Sequence, residues 1–193
     1  MFMLYAIALG VLCGFALRGS PDGLGTLRFR WAGVAFAGLA AQVALFSSTV
    51  TAAIGDVGAP VYVASSAVVL AVVVRNIALP GLPIVAAGAA ANLAAIVANG
   101  GWMPASASAL ASLGETIGEG YSNSRVVASP ALAPLTDVLA LPRWLPFANV
   151  FSIGDVLIGL GVAVAIVVAM RRTRAAGVTV DPVSVTATRQ SAG

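Results

Sequence analysis

Of seven carboxylates in the chain, Asp155 stands inside a strongly apolar stretch, NVFSIGDVLIGLG (Asn149 to Gly161). Two asparagines with costly polar side chains, Asn92 and Asn99, fall in NLAAIVANGGWMP (Asn92 to Pro104). They are seven residues apart, nearly on one face of a helix. A carboxylate among amides at a common depth could hold a polar group or activate water. Hydrolysis of that kind needs a second carboxylate, so that one acts as acid while the other acts as base. Asp155 also has a structural explanation. Ser152 is a natural N-cap, and Asp155 three residues on would answer the free N–H groups and positive end of the helix dipole. Both readings of Asp155 stand at this level. With no histidine and a single cysteine, Cys13, the chain offers neither an internal disulfide nor a zinc cluster. No metal or cofactor is expected.

The elements that must position these residues follow from composition. Hydrophobic residues make up 60% of the 193, charged residues 9%, and mean hydropathy is +1.00. A soluble domain carries about a quarter charged residues, so the expected class is an all-α integral membrane protein. Five apolar runs approach the roughly 20 residues of a span, at about 2–17, 31–48, 60–74, 79–98 and 152–170. The first lacks a positive leading region and reads as a retained span rather than a signal peptide. All ten basic residues are arginine, which with the Ala/Val/Gly-rich composition reflects GC-rich bacterial coding. The net charge of +3 therefore does not suggest a nucleic-acid partner.

Arginines instead set the orientation. Arg18, Arg28 and Arg30 follow run one, Arg75 follows run three, and Arg171, Arg172 and Arg174 follow run five. By the positive-inside rule these connections are cytoplasmic. The N-terminus is then outside, the C-terminus inside, and the location a bacterial plasma (inner) membrane. Residues 1–170 form a single transmembrane domain, and 171–193 a disordered cytoplasmic tail. In this orientation Gln42, Ser65, Ser66, Asn92, Asn99 and Asp155 all fall in the outer half of the membrane. The glycines of runs one and five are most simply close-packing positions.

Residues 99–151 are the one long interruption, expected to fold back as an outward-facing cap. Asn99-Gly100-Gly101 should end a helix, and Trp102 suits the membrane interface. Ser106 could cap a short surface helix carrying Leu110, Leu113 and Ile117. Tyr121, Asn123 and Arg125 mark a polar turn, a second short helix is expected at 135–141, and Arg143-Trp144 returns to the interface. The candidate outer polar site is thus Asn92, Asn99, Asn149, Asp155 and Gln42. Candidate cap contacts are Trp102, Tyr121, Asn123, Arg125 and Arg143.

LPGLP (Leu79 to Pro83), NLAAIVANGGWMP, YSNS (Tyr121 to Ser124) and NVFSIGDVLIGLG together resemble an uncharacterised bacterial multi-pass membrane family, domain of unknown function 5317. The resemblance covers most of Met1 to Met170 and implies no activity. A fainter one, to lipoprotein signal peptidase, rests on Phe151-Ser152-Ile153-Gly154-Asp155 with Gly161, and on Asn92-Leu93. In that alignment Ala95 takes the place of the other catalytic aspartate and Ile96 that of an arginine, so the protease mechanism would fail.

The sequence favours a non-enzymatic membrane protein. It would be an accessory subunit of a membrane-protein partner, or a binder of a lipidic or amphipathic ligand at the outer leaflet. The alternative is a membrane enzyme with an outward-facing site around Asp155.

Overall fold

Long runs of Ala, Val, Leu and Gly fold as helices wherever proline is confined to a first turn, whose N–H groups have no helical partner. In the computed structural model, which describes residues 2–45, 57–114 and 124–176, these runs give a mostly helical molecule. The long helices are α1 (Phe2–Ala16), α2 (Ala32–Leu45), α3 (Gly58–Arg75), α4 (Leu82–Ala98) and α6 (Ile153–Ala176). Pro60 and Pro83 sit in the first turns of α3 and α4. Two helices are long and apolar enough to cross a membrane, α3 and the Ile153–Arg172 part of α6; α1, α2 and α4 are apolar but shorter.

The helices pack in the order α1, α6, α4, α3, α2, so α6 is wedged between α1 and α4. Glycines make the two contacts around α6 possible. On one side Gly10 faces Ala163, Gly14 faces Met170, and Gly159 faces Ala6 and Phe2, so α1 and α6 run parallel. On the other side Gly88 meets Gly154 and Gly81 meets Gly161, so α4 runs antiparallel to α6. Gly81 and Gly161 are backed by an apolar cluster of Val73, Leu82, Val85 and Ala86 with Ile158 and Val162. At Gly10, Gly81 and Gly88 backbone comes against backbone, while Gly14 and Gly159 make room for the side chains of Met170 and Phe2, the packing mode that small residues permit.

Successive long helices alternate in direction. Gly101, after α4, lies against Ala59 at the start of α3, and Arg30, before α2, bonds to Asn76 at the end of α3. Ser20 N–H donates to the Met170 carbonyl (2.8 Å), tying the 3-10 turn Pro21–Thr26 to the far part of α6. The connections carrying Arg18, Arg28, Arg30 and Arg75 therefore gather at one end with Arg171 and Arg172.

The opposite end carries the cap. There α4 closes with a Schellman motif, in which Gly101 N–H donates to Ile96 (2.8 Å) and Gly100 N–H to Val97 (3.2 Å). Strand β1 (Met103–Ala105) pairs in parallel with β2 (Ser124–Val126) and bridges to Asp137, whose N–H donates to Pro104 (2.9 Å). Ser106 caps α5 (Ala107–Leu113), and β3 (Leu139–Ala140) pairs antiparallel with β4 (Val150–Phe151). Met103 joins Leu45, Tyr62, Ala95 and Ile96 in one apolar cluster, so the cap is continuous with the bundle core.

Three expectations need correction. The helix expected at 135–141 is instead a 3-10 turn, Ala133–Leu135, followed by β3. Pro134 starts the turn, but the Thr136 N–H is spent on Ala133 and the Asp137 N–H on β1, which leaves no helical ladder. Helix α6 continues past 170 to Ala176, where the tail was expected to be disordered. Arginine is a good helix former and a favourable charge at a helix C-terminus. The cap also contains β-structure that two- and three-residue strands do not announce as a period. Ile117 and residues 46–48 and 177–193 lie outside the described residues.

Asn76 was not singled out by sequence, although an asparagine closing an apolar run is a recognisable end signal. It is 5% exposed. Its side-chain oxygen accepts from Arg30 N–H (2.7 Å), and its amide donates to the Arg30 carbonyl (2.9 Å) and to Val72 (2.8 Å). Asn76→Ala should cost about 2–3 kcal/mol by leaving the Arg30 N–H and carbonyl and the buried Val72 carbonyl without their amide partner. Thermal unfolding in detergent measures it; a loss within error of zero would contradict the clamp.

Candidate functional site

At the N-terminus of α6 three side chains close on one another. Asn92 Nδ2 donates to Asp155 Oδ1 (2.8 Å), and Ser152 Oγ donates to Asn92 Oδ1 (2.8 Å). Ser152 N–H donates to Asp155 Oδ2 (3.1 Å), and Asp155 N–H donates to Ser152 Oγ (3.0 Å). The last two bonds are a reciprocal capping box. Asn92 adds a third member from α4, so one amide joins two helices through the cap of one of them. Its approach depends on Gly154, where any Cβ would collide with the Asn92 side chain. Ser152 is 0% exposed, while Asn92 and Asp155 are half-buried.

Both Asp155 oxygens thus accept hydrogen bonds, and the Ser152 hydroxyl both donates and accepts. The chemistry most available to such a ring is structural: it satisfies polar groups where water is scarce. Ala95, aligned with the second aspartate of the peptidase motif, is 0% exposed and packed among Leu45, Tyr62, Ile96 and Met103. A carboxylate cannot be reached there.

The remaining candidates have partners of their own. Asn99 Nδ2 donates to Ala95 (2.7 Å) and Ala131 (2.9 Å), and its Oδ1 accepts from Ala131 N–H (2.9 Å). It caps α4 and pins the loop before Ala133 rather than joining Asn92. Asn149 Oδ1 accepts from Phe2 N–H (3.0 Å), and Phe2 stacks on Phe151 at 4.5 Å, so Asn149 anchors the start of α1. Gln42 Nε2 donates to Ser66 Oγ (3.1 Å), an ordinary link between α2 and α3. The expected five-residue site therefore resolves into Asn92 with Asp155, joined by Ser152, and three separate ties.

Among the cap residues, Trp102 is half-buried just before β1, and Arg125 stands opposite Pro104 in β2. Arg143 is exposed in a turn beside Trp144, which is 80% exposed. Tyr5 Oη donates to the Pro146 carbonyl (2.6 Å), holding that turn to α1. Tyr121 and Asn123 lie outside the described residues. Asp137 is buried within the cap and fixed through its backbone to Pro104 and Ser106.

Open space lies elsewhere. Within the cap, a cavity of about 370 Å³ is bounded by β1, the start of α5 and residues 126–138; Val126, Val127, Pro130 and Val138 line it with the hydroxyl-bearing Ser106, Ser108 and Thr136. At the arginine end lies a second cavity, of about 700 Å³. Among the described residues no group of three or more His, Cys, Asp or Glu is placed to hold a metal ion.

These features define a class: an apolar, glycine-packed helical bundle with two helices of membrane-crossing character, closed at one end by a small mixed cap. The chain belongs to a family of unknown function, DUF5317, whose model matches residues 26–167. No curated protein and no solved structure matches it.

Proposed function

We propose that this is a five-span bacterial inner-membrane protein that binds, without catalysis, a neutral and largely apolar ligand in its outward-facing cap. The alternating helix directions support five crossings. The gathering of arginines at the end opposite the cap supports a cytoplasmic C-terminus and an external N-terminus. Helices α1, α2 and α4 are short for a bilayer core of about 30 Å, and interfacial residues such as Trp31 and Trp144 would complete them.

One contrast carries the functional reading: the polar ring is closed on itself, while the accessible space at that end of the bundle lies in the cap. Small-ligand sites of about 300–1,000 Å³ are mostly apolar with few polar groups, and the cap cavity has that make-up. Among the described residues no charged side chain lines it. A membrane enzyme centred on Asp155 is less well supported, because both carboxylate oxygens are engaged and a second carboxylate is missing from the ring.

Native mass spectrometry of gently solubilised protein tests the reading. The expected result is a co-purifying neutral amphiphile that is lost in Ala128→Trp, a change at an exposed lining position, with unfolding temperature unchanged. Wild-type protein that carries nothing and takes up no neutral lipid would overturn it.

A further inference from the structure

The larger cavity lies at the end away from the cap, between the start of α2 and the end of α3. Arg28, Arg30 and Arg75 line it together with Trp31, Asn76 and Leu79. All three arginines are exposed, and no carboxylate pairs with them among the described residues. Like charges do not gather around a shared space without cost.

The backbone holds them there. Asn76 bonds both the N–H and the carbonyl of Arg30, which fixes the segment leading into α2. The next residue, Trp31, has φ of 61°, a left-handed conformation rare for a bulky side chain. Its ring lies 5.9 Å from the Arg75 guanidinium, a cation–π distance. A strained aromatic and a clamped backbone are a fixed arrangement, of a kind that often marks a ligand site.

Immediately beside this cavity runs a second one, of about 300 Å³ and wholly apolar, lined by Leu27, Phe29, Leu79, Val85, Val162 and Ile166. Leu79 borders both. The segment from Leu27 to Arg30 alternates between them. Leu27 and Phe29 line the apolar groove, and Arg28 and Arg30 the cationic cavity. A cationic seat and an apolar groove sharing one wall match a molecule with an anionic head and a hydrocarbon tail.

We propose that this pair of cavities is a binding site for an anionic phospholipid, with the phosphate held by Arg28, Arg30 and Arg75 and an acyl chain in the groove beside Phe29. Guanidinium donors in a fork suit phosphate oxygens, and basic pockets between helices on the cytoplasmic side are suited to such head groups. The site is separate from the cap cavity and shares with the cap reading the premise that the bundle lies in a bilayer with its arginine end cytoplasmic.

Purified protein is offered phosphatidylglycerol and phosphatidylcholine in equal amounts, and bound lipid is counted by native mass spectrometry. Phosphatidylglycerol should be retained selectively. Arg30→Gln with Arg75→Gln should weaken that retention about 30-fold and leave phosphatidylcholine unaffected. In a Trp102→Phe/Trp144→Phe protein, tail-brominated phosphatidylglycerol should quench Trp31 more than brominated phosphatidylcholine does. That measurement needs no arginine change and stands if the glutamine variants fail to accumulate. Equal retention of the two lipids, or equal quenching, would overturn the proposal. So would displacement by millimolar inorganic phosphate, which would identify the occupant as a small anion.

Discussion

Protein carrying Asn92→Asp together with Asp155→Asn is expected to unfold close to the parent, although each substitution alone costs about 1–3 kcal/mol or more. The reason is the count of donors and acceptors. Asp155 accepts twice, from Asn92 Nδ2 and from Ser152 N–H. Asparagine at position 155 has one oxygen for two donors and turns its own amide toward the amide of Asn92. Aspartate at position 92 sets two carboxylates face to face. In the exchanged protein the carboxylate, now on α4, accepts from the amide, now on α6, and from Ser152 Oγ. The oxygen of that amide accepts from Ser152 N–H, so every partner is restored. Thermal unfolding of the four proteins forms a double-mutant cycle, and a coupling energy near zero would refute the ring as a unit. The exchange also separates structure from catalysis. If a cellular phenotype depends on Asp155 as a reacting carboxylate, it stays lost in the exchanged protein even though the fold returns. If the ring is structural, fold and phenotype return together.

Alanine at Gly88 or Gly154 should destabilise the bundle by about 1–3 kcal/mol, and leucine by more. A Cβ at Gly88 would collide with the Gly154 carbonyl and lie 2.9 Å from Ile158 N; one at Gly154 would lie 2.8 Å from the Gly88 carbonyl. Both partners are backbone, which cannot turn aside, so α4 and α6 must separate. Separation would also pull Asn92 from Asp155, which couples helix packing to the polar ring. Gly33 in α2 is the control. A Cβ there meets nothing within 4 Å, and Gly33→Ala should be neutral or stabilising by up to about 1 kcal/mol. Equal effects at Gly33 and Gly154 would mean that propensity, not contact, governs all three.

The mostly helical fold was legible because long apolar runs are a local property of the sequence. The capping box was legible for the same reason: Ser152 and Asp155 are three residues apart and need no partner to be recognised. Asn92 was found through depth, as a polar residue that should share a level with Asp155. Depth alone could not tell it from Asn99. The difference is that Asn99 falls at the helix end fixed by Gly100 and Gly101, where its amide meets its own helix and Ala131 instead. Asn149 and Gln42 stood out as polar residues in or beside apolar runs, but their partners, Phe2 and Ser66, are set by long-range packing. Arg28, Arg30 and Arg75 were read as topological markers only. That they share a cavity depends on Asn76 bringing the α2 and α3 ends together across 46 residues of sequence.

The central position of α6 has a consequence for how the molecule is made. It follows the other long helices in chain order, yet it occupies the slot between α1 and α4. During synthesis, Gly10 and Gly14 on one side and Gly81 and Gly88 on the other must wait with their packing faces uncovered. Contacts between α1 and α6 join residues some 150 positions apart, the kind of distant closure that slows assembly. The nascent protein is therefore two incomplete halves until α6 leaves the ribosome, and its arrival turns them into a single body.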